Sequence, residues 1–285
     1  MSEHRINNGA TPFPSADRPA ERISSTAVCL TITNNIAEIR FNRPNRLNAL
    51  DMETVEAFCH AVNRATNDTA VKVIIVSGAG RGFVSGGDLG YFRAASDKPD
   101  AAAMLIAPLH HALAVLANAA QITVGKVHGA TAGAGMAIAL NLDMLIISDD
   151  TTLSFAYTKV GASPDCGASW ILPRLVGQRK ALEIALLCDP IDATAAERLG
   201  LANRVVPSDQ LDEAVSKLAT RLAEGPVVAH DHIKSLIRQS FERSFEQQLD
   251  DEAADFAECA ATEDFSEALD AFFEKRRPRF SKKGA

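Results

Sequence analysis

The chain has 285 residues, 47% of them hydrophobic and 23% charged, a globular balance that excludes global disorder and a fibrous repeat. Its 36 acids against 29 bases give a formal net charge of −7, which argues against a nucleic-acid partner, since such binders carry a basic excess or stripe. No apolar run approaches the ~20 residues that span a bilayer, so no membrane partner is expected, and the length suits one large domain or two small ones.

Residues 1–24 read as a flexible tail. Met1–Glu21 is polar, holds three prolines and lacks the apolar stretch of a secretory signal. Ala27–Thr33 and Ile36–Phe41 are β-rich runs joined at Asn34-Asn35, residues that tolerate left-handed backbone, so a hairpin is expected. Asp51 caps a helix running to about Thr66, with Val55, Phe58, Cys59 and Val62 on one face. Val71–Val76 is a short apolar run bounded by Ser77-Gly78, suited to a buried strand of a parallel sheet. A glycine-rich loop follows, then a helical stretch from about Pro108 to Ala117. Ile122–Val127 is the next strand, Met136–Asn141 a short helix and Met144–Ser148 another strand. This alternation marks an α/β unit with crossover connections, placed at residues 25–207.

The second half is mostly helical from about Gly177. Asp192 and Gly200 bracket one short helix, Ser208 caps another and Pro226 opens a third. In Phe245–Thr262, Leu249, Ala253, Phe256, Ala257 and Ala260 give an acidic stretch an apolar face. Residues 208–285 therefore form a helical C-terminal part whose second face is free to pack on another subunit. The five cysteines, Cys29, Cys59, Cys166, Cys188 and Cys259, are scattered, with no C-x-x-C pair and no Cys/His cluster at zinc spacing. They imply a reducing, cytoplasmic compartment and no structural metal. The basic run Lys275–Lys283 suits either a solvated tail or a local anionic ligand.

Ten of the 17 glycines fall in two windows, six in Gly78–Gly90 and four in Gly125–Gly135. The second window is not a P-loop, because no Gly-Lys-Ser/Thr follows. A dehydrogenase nucleotide loop is also disfavoured: the window lies mid-chain, and Tyr157 is followed by Lys159 at the wrong spacing. Two readings remain. The glycines serve turns and close packing, or they bring two backbone N–H groups together as an oxyanion hole, one from a tight turn near Phe83–Asp88 and one from the helix N-terminus near Gly133–Gly135. Asp88 reads as a cap for the segment after it, and His128 as structural.

Several segments resemble, in order, the motifs of the crotonase family, the enoyl-CoA hydratase/isomerase superfamily. They are Phe41-Asn-Arg-Pro-Asn-Arg-Leu-Asn-Ala-Leu-Asp51, Ser85-Gly-Gly-Asp-Leu89, His128-Gly-Ala-Thr-Ala-Gly-Ala-Gly135, Val160-Gly-Ala-Ser-Pro-Asp-Cys-Gly167 and Leu172-Pro-Arg-Leu-Val-Gly177. The end, Ala271–Phe280, also fits. The resemblance implies an α/β crotonase-type ββα spiral core with a helical C-terminal trimerisation region, and assembly as a homotrimer or dimer of trimers. It implies an acyl-CoA thioester as substrate, with coenzyme A entering as part of the substrate and no tightly bound cofactor.

Carried over residue by residue, it places the oxyanion donors at the backbone N–H groups of Gly87 and Ala134, with Ser85, Gly86 and Gly133 around the thioester. Arg46 matches the basic residue near the CoA nucleotide, and Lys275, with Arg276, is placed to reach the CoA of a neighbouring subunit. The two glutamates by which hydratases of the family handle water fall on Ala137 and Tyr157, and Tyr157 is expected to line the acyl site. Asp165, in Pro-Asp-Cys-Gly, resembles the catalytic acid of the family's enoyl-CoA isomerases. Asp165 could equally be a turn residue after Pro164. The expected reaction is a double-bond shift with Asp165 as the proton carrier. Hydration of an unusual enoyl-CoA and non-catalytic acyl-CoA binding are the alternatives.

Overall fold

The computed structural model describes residues 21–25 and 27–280. The tail expected over residues 1–24 lies outside the described residues as far as position 20. Its last four residues are a correction: Glu21–Ser24 form strand β1, paired antiparallel with β2 (Val28–Thr33) and held at Glu21 by Arg64 (2.7 Å). Strand β3 (Ile36–Phe41) closes the expected hairpin. Asn34 and Asn35 take φ of 50° and 66°, the left-handed pair that a tight two-residue turn needs.

Helix α1 (Met52–Thr66) is capped as expected, Asp51 accepting from the N–H of Thr54 at 3.0 Å. Strand β4 (Val73–Gly78), helix α2 (Leu89–Ala94), helix α3 (Lys98–Asn118), strands β5 (Ile122–Val127) and β6 (Ala130–Ala132), helix α4 (Ala134–Asn141) and strands β7 (Met144–Ser148) and β8 (Thr152–Ser154) follow. Then come α5 (Ala168–Val176), α6 (Gln178–Leu187), β9 (Ile191–Asp192), α7 (Ala193–Arg198), β10 (Arg204–Val206) and α8 (Leu211–Ala223). The chain finishes with α9 (Val227–Gln239), α10 (Phe245–Ala260) and α11 (Glu263–Phe273).

The main sheet has the order β1-β2-β3-β4-β5-β7-β10, antiparallel as far as β3 and parallel beyond it. A small second sheet joins β6, β8 and β9. Side chains of β4 alternate between two apolar layers. Ile74 and Val76 belong to the core cluster that holds Phe58 and Val62 of α1 and Leu105 and Leu109 of α3, whereas Val73 and Ile75 belong to the one that holds Leu211, Val215 and Ala219 of α8. Burial on both faces is why Val73–Val76 is apolar without alternation, and the one polar side chain of the strand, Ser77, donates to Glu38. It also means that the boundary at 207/208 does not separate α8, which covers the core sheet.

Three expectations are corrected. Helix α3 begins ten residues before Pro108, because Asp97 caps it through the N–H of Asp100 (3.0 Å) and Pro99 fits the first turn. Its 21 residues are by length and composition apolar enough to cross a bilayer, but its Leu105, Leu109, Ala112, Leu113 and Leu116 are buried in the core. Ser208 does not cap α8. It lies in a 3-10 turn and its hydroxyl donates to Asp149 (2.8 Å).

Helix α9 is anchored by a buried charge cluster. The Lys234 ammonium donates to the carbonyls of Leu116, Ala119 and Gln121 (2.8–3.1 Å) and lies 3.1 Å from Asp143, which also takes two bonds from Arg238 (2.6 and 2.9 Å). Burial pulls Lys234 below its ordinary range, against the pull of Asp143. Removing the carboxylate leaves two cations facing each other in a half-dry site. Asp143→Ala should therefore lower unfolding stability by about 3–5 kcal/mol in urea titration.

Candidate active site

The two glycine windows are built against each other. Gly82 bridges to Gly129 and Ala130, and the N–H of Ala132 donates to the carbonyl of Val84 (3.0 Å). A Cβ at Gly135 would sit 1.9 Å from that same Val84 oxygen, and one at Gly129 2.1 Å from the carbonyl of Arg81. Side chains are excluded here by backbone, so glycine is the residue that lets the segments meet.

Asn48 ties the first window from below. It is fully buried in left-handed backbone (φ 56°) and its Nδ2 lies 2.8–3.0 Å from the carbonyls of Ala79, Gly82 and Phe83, while its Oδ1 accepts from the N–H of Arg43 (2.8 Å). Arg43 spans the same loop, pairing with Asp51 (2.8 Å) and Asp88 (3.6 Å) and donating to the Ala49 carbonyl (2.5 Å). Sequence reasoning missed both roles. The one available signal was their place in the Phe41–Asp51 motif. His128 faces the Gly80 carbonyl (2.8 Å), a structural contact, and Asp88 caps α2 through the N–H of Gly90 (2.9 Å).

Leu50 donates to the Gly86 carbonyl and accepts from the N–H of Asp88, both at 2.8 Å. Gly87, between them, therefore turns its own N–H to the opposite side. Ala134 opens α4, so its N–H has no partner within the helix. Among the described residues neither N–H meets an acceptor. Gly86 links the two: a Cβ there would lie 3.7 Å from the Ala134 nitrogen and 3.1 Å from the Ala132 carbonyl. Gly133 takes φ 52° and ψ −125°, and its N–H donates to Ser154 (3.0 Å). Two unpaired N–H groups on adjoining backbone suit charge developing on a carbonyl oxygen.

Strand β8 ends at Ser154, and a 3-10 turn opens soon after at Tyr157. The buried Tyr157 stacks edge-on against Phe155 (ring centroids 5.0 Å) and donates its hydroxyl to Oδ1 of Asp165 at 2.5 Å. Burial, then the Asp165 charge, push the Tyr157 phenol well above its ordinary range, so it is a fixed donor. The Asp165 turn is closed by backbone, Ala168 N–H to the Asp165 carbonyl (3.0 Å). Cys166, in left-handed backbone (φ 52°), is gripped at both peptide groups. Its N–H donates to Nε2 of His110 on α3 (2.9 Å), and its carbonyl accepts from Asn141 on α4 (2.9 Å). His110, one of two adjacent histidines on α3, is thus a positioning contact for the turn. Asn141 stands about 10 Å along α4 from Ala134, so one short helix relates the N–H pair to the carboxylate. The Cys166 thiol is buried and raised above its ordinary range by burial and by Asp165, which makes it an inert packed group.

The fold thus gathers Ser85, Gly86, Gly87, Gly133 and Ala134 at one junction, and pairs Tyr157 with Asp165. Arg46 is exposed beside it, one residue before Leu47, whose carbonyl accepts from Ser85 N–H (3.1 Å). Lys275 stands apart within one chain, just beyond α11, which packs on α10. Arg276 is taken up by Glu267 and Glu274.

The model of the enoyl-CoA hydratase/isomerase family matches residues 31–283. The 1,2-epoxyphenylacetyl-CoA isomerase of Escherichia coli is 30% identical over 255 residues, 88% of this chain and 97% of that protein. A probable enoyl-CoA hydratase of Rhodobacter capsulatus is 32% identical over 250 residues, 88% and 96%. The crystal structure of an enoyl-CoA hydratase from Polaromonas sp. JS666 superposes with a TM-score of 0.83 at 27% identity, covering 92% of this chain and 99% of that one. The chain belongs to the enoyl-CoA hydratase/isomerase family and has its crotonase fold. Enzymes of this family act on coenzyme A thioesters without a tightly bound cofactor.

Tyr157 and Cys166 both keep their protons more firmly in the folded chain than in the unfolded one. A raised folded-state value gives stability that is complete below the unfolded value and fades as pH rises above it. Stability should therefore fall above about pH 9 for the thiol and about pH 10 for the phenol, by up to about 1.4 kcal/mol per pH unit for each group. Tyr157→Phe should remove the phenol's share of that slope in urea titrations between pH 8 and 11.

Proposed function

We propose that this chain is an enoyl-CoA isomerase that moves a double bond from C3 to C2 of an acyl-CoA thioester, with Asp165 as its proton carrier. Two things carry the reading: the resemblance by which Ala137 and Tyr157 fall at the positions of the two glutamates of the family's hydratases, and the observed bond from the Tyr157 hydroxyl to the carboxylate of Asp165 (2.5 Å). A 1,3-shift needs one proton removed at C2 and one returned at C4, and a single carboxylate can carry it across one face. The electron pair left at C2 spreads onto the thioester oxygen, where the N–H groups of Gly87 and Ala134 would donate. Ser85, Gly86 and Gly133 would border the thioester, Tyr157 the acyl site, and Arg46 the CoA phosphates. The coenzyme A thioester isomerase named among the relatives supports the coarser part of this reading, isomerisation of an acyl-CoA. The scattered cysteines support a cytoplasmic setting.

Asp165→Asn keeps the side chain's shape and removes its basicity. With a 3-enoyl-CoA it should lose at least about 10²-fold in kcat while binding the substrate within a few-fold of wild type. Unchanged turnover removes Asp165 from the mechanism, and strong hydration of crotonyl-CoA by the wild type would make the enzyme a hydratase.

The same reading includes a homotrimer or dimer of trimers joined through the C-terminal helices, with Lys275 reaching a neighbour's CoA. Its support is the apolar surface of α10 and α11, where Phe245, Phe256, Phe272 and Phe273 are 66–78% exposed in the single chain. Sedimentation equilibrium should give a mass three or six times the 30.4 kDa chain, and Phe272→Glu with Phe273→Glu should shift it toward the monomer.

A further inference from the structure

We propose that Tyr157 is a positioning residue that commits one oxygen of Asp165, Oδ1, to a permanent hydrogen bond and leaves Oδ2 as the single atom that carries the proton. The inference rests on the reading of Asp165 as proton carrier and adds a division of labour within the carboxylate.

Three observations support it. The Tyr157 hydroxyl donates to Oδ1 of Asp165, a hydrogen bond from a neutral donor to a carboxylate. Tyr157 is buried, its ring fixed against Phe155, so the donor is not free to swing away. The backbone on which Asp165 rides is held from two further elements, His110 on α3 and Asn141 on α4, so the carboxylate answers to a tyrosine rather than to a mobile loop. The phenol keeps its proton, because burial and the neighbouring charge both oppose its loss.

The chemical consequence is specific. A free carboxylate can take a proton on one oxygen, rotate and return it from the other, or pass it to water between the two steps. With Oδ1 occupied, Oδ2 takes the proton from C2, the C–H electron pair moves into the dienolate and onto the thioester oxygen, and the same Oδ2 returns that proton to C4. Atoms and charge balance without a co-reactant. The shift is then confined to one face of the substrate, and the proton that leaves C2 is the one that arrives at C4. Replacing a carboxylate by tyrosine at position 157 also removes a second base that would activate water.

The test compares wild type, Tyr157→Phe, Tyr157→His and Asp165→Asn with a 3-enoyl-CoA bearing deuterium at C2. Tyr157→Phe keeps the ring that packs on Phe155 and removes the donor. It should lower kcat by about 10- to 100-fold with KM changed less than about threefold, the loss expected from deleting one hydrogen bond to a charged catalytic group. The fraction of deuterium recovered at C4 should fall as well, because the freed carboxyl can exchange its proton with water. Tyr157→His, which retains a ring N–H, should recover part of both, and it supplies a second measurement if the phenylalanine variant fails to fold. Wild-type kcat and label transfer in either folded variant overturn the role of Tyr157. Asp165→Asn separates this from the reading beneath it. Turnover in that variant overturns the proton carrier itself, whereas an inactive Asp165→Asn beside an unchanged Tyr157→Phe overturns only the tyrosine's part.

Discussion

The close approach of two backbone segments at Gly135 and Val84 is the constraint on which the rest of the site depends. The space between the Gly135 α-carbon and the Val84 carbonyl holds no room for a methyl group. The contact recurs at Gly129 against Arg81 and at Gly86 against Ala132, so a turn from the first half of the spiral lies directly on the helix start from the second. Packing of this kind is paid for in the unfolded state, where each glycine has more freedom to lose. Asn48 offsets part of that cost by sharing the two N–H donors of its amide among three carbonyls of the first turn. The unpaired N–H groups of Gly87 and Ala134, the proposed oxyanion donors, are what this arrangement leaves over.

The side-chain half of the site is held differently. Asp165 is not part of a regular element; it precedes α5 in a turn with left-handed residues at Cys166 and Gly167. Such a turn would be loose by itself. Here it is fixed from α3 by His110, from α4 by Asn141 and from the β8 side by Tyr157. Elements far apart in sequence thus converge on one turn, and pre-organisation of this sort is what the proposed role of Asp165 as general base requires.

Much of this was legible in the residues. The strands Ile36–Phe41, Ile122–Val127 and Met144–Ser148 and the helix after Asp51 follow from alternation, apolar runs and a cap, signals local to each segment. The glycine windows were visible as clustering, although nothing in their spacing says that one packs on the other. What stayed hidden depends on partners. Pro108 reads as a helix opener unless the Asp97 cap and the burial of the preceding turn are known. Residues 21–24 read as tail because a four-residue edge strand has no pattern of its own and is defined by the strand beside it. His110 is one of two adjacent histidines on a helix, and its contact with Cys166 spans 56 positions. Arg43 and Tyr157 acquire meaning only through the carboxylates that the fold brings to them.

The two halves also differ in what variation they allow. At Gly129 and Gly135 any side chain collides with backbone, and at Gly86 and Gly133 positive φ adds strain. The half built from main-chain groups therefore has almost no mutational freedom, and it presents the same two N–H groups whatever occupies the rest of the cleft. Tyr157 and Asp165, the proposed proton-handling pair, and Phe92, the ring nearest Gly87, differ in that they contribute side chains rather than main-chain groups. A lineage built on this scaffold would diversify at those side chains while the backbone proposed to face the thioester stayed constant. Such a separation is compatible with relatives called isomerase and hydratase each aligning over 88% of this chain.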